Sequence, residues 1–586
     1  MGSFTRRAAL GAGTAALALS ACSPVTSAPA GEADAAFKAI AKTWLDELTR
    51  SQPAYATQLG DHRFDGDLPD VSEAGRRARA SQVAATGQQL AALDRSALSR
   101  DNQVDAAMLA DALAAETFRA ERLQDWAFDP LGYASLTGGS LYSLMARDFA
   151  PLPERLANAA SRMEKIPALL EATRAQLAPE RVPPIHASTY SAQNAGAASI
   201  IDSFVLAEAG ALGPADQARL RRAAEGARSA LQLHQTWIDE TLVPAARGDF
   251  RYGALYEDQL RFSINSATPR AELLAKARAD ADAIREEMFD ISARLTNARP
   301  GADRLATIRA GMALAARDRP PRERVIADAK RMTEEATAFV RLKDFITTPD
   351  APVKIIDMPK FQQGVSVAYC DSPGPLDRHL ETFYAISPIP EDWSEEQARS
   401  FLSEYNTHML YELSIHEAMP GHYLQIWHSN KHPSVTRAVL SSGTFVEGWA
   451  CYAEDLMIEM GFGADNPLRR LTNLKMRLRS VTNAILDQGV HVENWDEARA
   501  MAFMTGEAFQ EEREAAGKWT RARLSSGQLS TYFVGWGEHH ALRRHAEMTQ
   551  GSGFDLKTYH DGVLSHGSPP VRFVRALMFG EPIAAG

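Results

Sequence analysis

Over most of its length the chain repeats apolar residues at three- and four-residue steps, and this period restricts its fold more than any other feature. Leu152, Leu156, Ala160, Met163, Ile166 and Leu170 fall on one helical face, because 3.6 residues per turn return such positions to the same side. Alanine-, leucine- and arginine-rich stretches near 72–124, 191–242, 268–297 and 322–345 read similarly. Helix is therefore expected to dominate from about residue 36. Segments 57–71 and 126–153, marked by Gly, Pro and Asp, read as loops, and the second, rich in aromatic and glycine residues, suits the lining of a cleft. Strand signal is limited to two β-branched runs bounded by Pro and Gly, Val353–Ile356 and Val365–Tyr369. The expected fold class is mainly α, with a small β-sheet.

With 586 residues, 45% hydrophobic and 23% charged, the chain is long enough to bury a sizeable core. No Gly/Ser linker, low-complexity block or fixed-period repeat divides it, so residues 36–586 are expected to form one helical domain with two lobes. A net charge of −11 without a sustained basic run argues against a nucleic-acid partner.

The first residues read as an export signal. Arg6 and Arg7 precede a short apolar run from Ala8 to Ala18, too short to span a membrane, and Leu19-Ser20-Ala21-Cys22 resembles a bacterial lipoprotein cleavage box. The expectation is a signal peptide over 1–21, lipidation at Cys22, a tether over 22–35 and membrane attachment through the lipid. With Ser23 after the cysteine, similarity to known lipoprotein sorting favours the outer membrane of a Gram-negative host, facing the periplasm. An ordinary secreted protein is the alternative. Cys370 and Cys451 remain, which excludes a disulfide scaffold and leaves a bridge between them open.

The chemistry concentrates in His416-Glu417-Ala418-Met419-Pro420-Gly421-His422, followed 25 residues after His422 by Glu447. Two imidazoles and two carboxylates are the minimum set for a catalytic zinc site. Histidines at i and i+4 lie about 400° apart on a helix, whereas the gap of six here amounts to about 600° and points the second ring away. Pro420 and Gly421 are expected to break the helix and return His422 toward His416. Two readings of the spacing stand level: a ligand pair, and two unrelated histidines beside a kinked core helix.

The segment His416-Glu417-x-x-Pro420-Gly421-His422, with Glu447-Gly448-Trp449-Ala450-x-Tyr452-Ala453-Glu454, resembles the bacterial domain-of-unknown-function 885 family, whose members resemble gluzincin metallopeptidases. Gly60-Asp61-His62-Arg63-Phe64-Asp65, Arg162-Met163-x-x-Ile166-Pro167, Asp487-x-Gly489-x-His491 and Tyr559-His560-Asp561-x-Val563-Leu564-Ser565 fit the same family in order. The likeness spans nearly the whole mature chain. Members commonly carry a second histidine directly after the Gly-His pair, where this chain has Tyr423, so the resemblance makes His422 the ligand. It also implies a large two-lobed helical metallopeptidase-like fold with a central cleft and a small sheet whose edge strand would bind an extended substrate.

On this reading His416, His422 and Glu447 hold zinc and Glu417 is the general base. Glu454, seven residues beyond Glu447 on nearly the same helix face, either supports a ligand or is a solvated acid; Glu412 has the same two readings. The resemblance points to Tyr532 and His491 as donors to a developing oxyanion. Arg543 offers a fork for a substrate carboxylate, against the alternative of a solvated helix face. His539, His540 and His545 read as surface residues. The expected activity is a zinc-dependent peptidase acting on short peptides in the cell envelope. A metal-dependent amidase or esterase, and a lipid-anchored envelope binding protein without turnover, are the alternatives.

Overall fold

The computed structural model describes residues 30–358, 368–390 and 393–583. Export signal, Cys22 and most of the tether lie outside the described residues, as do Val365–Val367 of the second expected strand. The fold is mainly helical, with one three-stranded sheet. The helix Leu152–Gln176 carries the periodic stripe, and Leu156, Ala160, Met163, Ile166 and Leu170 are buried on it. Segment 126–153 is largely short helical turns, such as Leu131–Ala134 and Ser140–Met145, where a loop was expected. Glycines interrupt the helical signal there, yet Gly138 packs so tightly that an added Cβ would meet the Ile200 side chain at 2.8 Å.

The apolar side chains divide into several clusters. One draws on residues between Val325 and Val574 and surrounds the metal motif; a second joins Tyr256–Met312 to Leu471–Phe533; a third comes from Leu141–Leu231. Among the described residues, no helix is long and apolar enough to cross a membrane.

The sheet consists of β1 (Lys354–Asp357), β2 (Ala368–Asp371) and β3 (Phe383–Ile386), in the order β1-β3-β2. β1 is parallel and β2 antiparallel to β3. The sequence reading located β1 and part of β2 but missed β3, the central strand. Tyr384, Ala385 and Ile386 are buried by the helices beneath, so β3 lacks the alternation that marks a half-exposed strand. β2 is left as an edge strand.

Candidate metal centre

The helix Thr407–Glu417 starts on Asn406, whose side chain accepts the N–H groups of His408 and Met409. It ends at Glu417, because Ala418 leaves helical geometry (φ −121°, ψ −83°), and a new helix, His422–Ser429, begins after Gly421. The Gly421 N–H donates to the Ile415 carbonyl at 2.9 Å. A Cβ on Gly421 would lie 1.9 Å from the His416 carbonyl oxygen, so glycine is required at this corner. The Trp449 indole donates to the Pro420 carbonyl at 2.9 Å and ties the corner to the Glu447 helix, Gly443–Glu459. The break returns His422 to His416: their ring centroids are 4.7 Å apart, at 84°.

Glu447 Oε2 completes the cluster, 3.6 Å from His416 Nε2 and 3.5 Å from His422 Nε2. These separations are long for hydrogen bonds. They match the edges of a zinc tetrahedron, since ligands about 2.0–2.2 Å from a shared ion lie about 3.3–3.6 Å from one another. Glu447 Oε2 and the buried His422 Nδ1 have no hydrogen-bond partner. A buried carboxylate oxygen facing two imidazoles at that spacing fits a cation. Burial alone would push the Glu447 carboxyl up, but His416 and His422 outweigh it and hold it well below the usual range.

Beneath His416, Glu454 is fully buried and its Oε1 lies 2.6 Å from His416 Nδ1, leaving Nε2 for the cluster. Burial would lower the His416 pKa; Cys451, Glu447 and Glu454 reverse that and hold it well above the ordinary value. The buried Cys451 and Glu454 form a second donor group with His416. Cys370 and Cys451 are both free. Glu412 is also buried; it accepts a hydrogen bond from Asn473 at 3.2 Å, and burial, reinforced by the like charge of Glu454, pushes its carboxyl up to about 8.

Glu417 is held by the sheet. Its Oε2 accepts the Cys370 N–H from β2 at 2.9 Å, which sets the edge of the strand away from β3 beside the cluster. That tether left no trace in the residue pattern, because it uses a backbone N–H. Tyr532 comes from the helix Thr531–Gln550, which crosses the Glu447 helix at two glycines. A Cβ on Gly535 would stand 1.9 Å from the Thr444 carbonyl oxygen, and one on Gly448 2.3 Å from the Gly535 carbonyl carbon. This close approach seats Tyr532 near Glu447: burial pushes its hydroxyl pKa up, and the Glu447 charge adds to the shift. The hydroxyl accepts hydrogen bonds from Arg521 at 3.1 Å and Gln528 at 3.4 Å, neither of which the sequence reading named.

His491 and Arg543 are engaged elsewhere. His491, at the end of the helix Pro467–His491, points Nε2 at the carbonyls of Ala522 and Ser525 and stacks on Tyr256. Both guanidinium NH2 groups of Arg543 are taken by Glu459, at 2.7 and 2.6 Å, and its Nε by Glu547, so its fork is not open to a substrate carboxylate. His539, expected at the surface, is buried and bonded to the Phe445 carbonyl at 3.0 Å.

No curated protein matches the chain. A solved structure of a candidate lipoprotein of unknown function from Shewanella oneidensis superposes with a TM-score of 0.80 at 32% identity, covering 92% of this chain and 99% of that one. A candidate lipoprotein from Colwellia psychrerythraea is similar in fold, with a TM-score of 0.77 at 17% identity over 92% of this chain and 98% of its own. Residues 53–578 match the family described as bacterial protein of unknown function (DUF885), and the chain belongs to that family.

Proposed function

We propose that the protein is a zinc-dependent peptidase that hydrolyses short peptides. The observation that carries this reading is the convergence of His416, His422 and Glu447 at tetrahedral spacing, with Glu417 fixed beside them by β2. When bound, zinc supplies a Lewis acid for the scissile carbonyl and makes water acidic near neutral pH. Glu417 takes the attacking water's proton and passes it to the leaving amine. Tyr532 donates its hydroxyl proton in a hydrogen bond to the oxyanion that develops. Glu454 accepts the His416 Nδ1–H and fixes the ring's tautomer. The open edge of β2 takes up the substrate backbone by strand addition. In this reading residues 36–586 form one catalytic domain, a two-lobed metallopeptidase-like body with a central cleft.

The protein is also proposed to be exported and anchored through lipidated Cys22, facing the periplasm from the outer membrane. Its N-terminal sequence supports this, as does the description of both similar structures as candidate lipoproteins.

Elemental analysis of the mature protein, joined to turnover on peptides and on non-peptide amides and esters, tests the chemistry. The expected result is about one zinc per chain, lost in His422→Ala and retained in Glu417→Gln, with peptide turnover abolished in both. A protein that takes up no zinc, or a Glu417→Gln variant that still cleaves peptides, would overturn the mechanism.

A further inference from the structure

Arg521 lies on the helix Glu512–Leu524 with its side chain exposed. It is nonetheless anchored: Nη2 donates to Gln528 Oε1 at 2.7 Å and to the Tyr532 hydroxyl at 3.1 Å. The Gln528 amide also reaches that hydroxyl, at 3.4 Å, so the three side chains form one polar group beside Glu447. Both bonds use Nη2, which leaves the donors on Nε and Nη1 without partners among the described residues. Among the described residues no carboxylate pairs with Arg521, whereas Arg479 is held by Glu514 and Lys475 by Glu404. A solvated helix arginine ordinarily has no reason to be bonded twice toward a catalytic hydroxyl. A planar, permanently charged fork held still with two donor groups free is built for a carboxylate.

The position limits which carboxylate it would be. If Tyr532 donates to the scissile carbonyl oxygen, Arg521 stands one hydrogen bond farther along. An extended peptide advances about 3.3–3.6 Å per residue, so a carboxylate on Arg521 would belong to a residue one or two positions past the cleaved bond. We propose that Arg521, steadied by Gln528, binds the free C-terminal carboxylate of the substrate, so that the enzyme removes one or two residues from the C-terminus of peptides. This rests on the peptidase reading above and names its substrate class.

The test uses the zinc-loaded mature protein and peptides of one sequence ending in a free carboxylate or in an amide. Turnover is measured on wild type, and binding by calorimetry on the Glu417→Gln protein. The acid is expected to be favoured about tenfold to a hundredfold, as charge-assisted hydrogen bonds to a carboxylate imply. Arg521→Gln should bring the ratio near one, mainly through KM, and Arg521→Lys should restore part of it. Tyr532→Phe should lower kcat and leave the ratio standing, which separates recognition by Arg521 from help given through the tyrosine. Equal use of acid and amide by the wild type, or a preference that survives in Arg521→Gln, would overturn the assignment while leaving the peptidase intact. No turnover, with acid-selective binding that depends on Arg521, would retain the carboxylate site and overturn the peptidase. No binding of either peptide would overturn the site as well.

Discussion

Glu454 is the residue through which the interior acts on the candidate metal donors. It is fully buried, and its Oε1 lies 2.6 Å from His416 Nδ1, so the orientation of that imidazole depends on it. Glu454→Gln keeps the shape and loses the charge; zinc affinity should fall about tenfold to a hundredfold, read by competition with a chelator. An unchanged affinity would reduce Glu454 to packing. Glu412 makes a prediction of opposite kind, about stability. Its folded pKa of about 8 lies above the ordinary 4.5, so between those values the native state holds a proton that the unfolded chain has released. Stability therefore falls as pH rises through that window, by up to about 1.4 kcal/mol per unit. Glu412→Gln should flatten this slope in denaturant melts between pH 5 and 8; parallel curves for the two proteins would refute it.

At the scale of elements, the decisive contact is the crossing of Gly443–Glu459 and Thr531–Gln550. Two glycines, Gly448 and Gly535, remove the side chains that would hold these backbones apart. Gly535→Ala pushes a methyl into the Thr444 carbonyl. The expected cost is about 1–3 kcal/mol, with a lower kcat as Tyr532 is displaced from Glu447. A lower melting temperature with undiminished turnover would show that the crossing does not position Tyr532. The helix break at Gly421 is the other element-scale device, and the two together bring four segments to one point.

Across the whole molecule, charged contacts join the N-terminal helices to the half that carries the candidate metal donors. Arg437, fully buried between the metal motif and the Glu447 helix, donates to Asp105 at 2.7 Å, a residue of the helix Arg100–Thr117. His62 makes a similar link, bonded to Asp65 and, across the fold, to Asp377 at 2.8 Å. Asp105→Ala leaves the Arg437 charge buried without its main partner, and should cost about 3–5 kcal/mol, measured by urea unfolding. A loss below 1 kcal/mol would mean that the Asp101 contacts and the backbone carbonyls satisfy Arg437 alone.

The sequence by itself determined the helical class, the stripe on Leu152–Gln176 and the break before His422, since periodicity and the Pro-Gly pair are local physical constraints. It also singled out His416, His422 and Glu447 as candidate donors, through the resemblance of their motifs to the family, since their spacing alone left two readings level. The tertiary structure alone decided which candidates meet. Tyr532 reaches Glu447 through a crossing of helices separated by some 80 residues, while His491 and Arg543, equally plausible in sequence, are taken by carbonyls and by Glu459 and Glu547. Strand β3, the hold of Cys370 on Glu417 and the bonds of Arg521 to Gln528 and Tyr532 depend on which groups face one another in space. Residue type does not carry that information, because hydrogen bonds and ion pairs are satisfied by whatever partner the packing supplies.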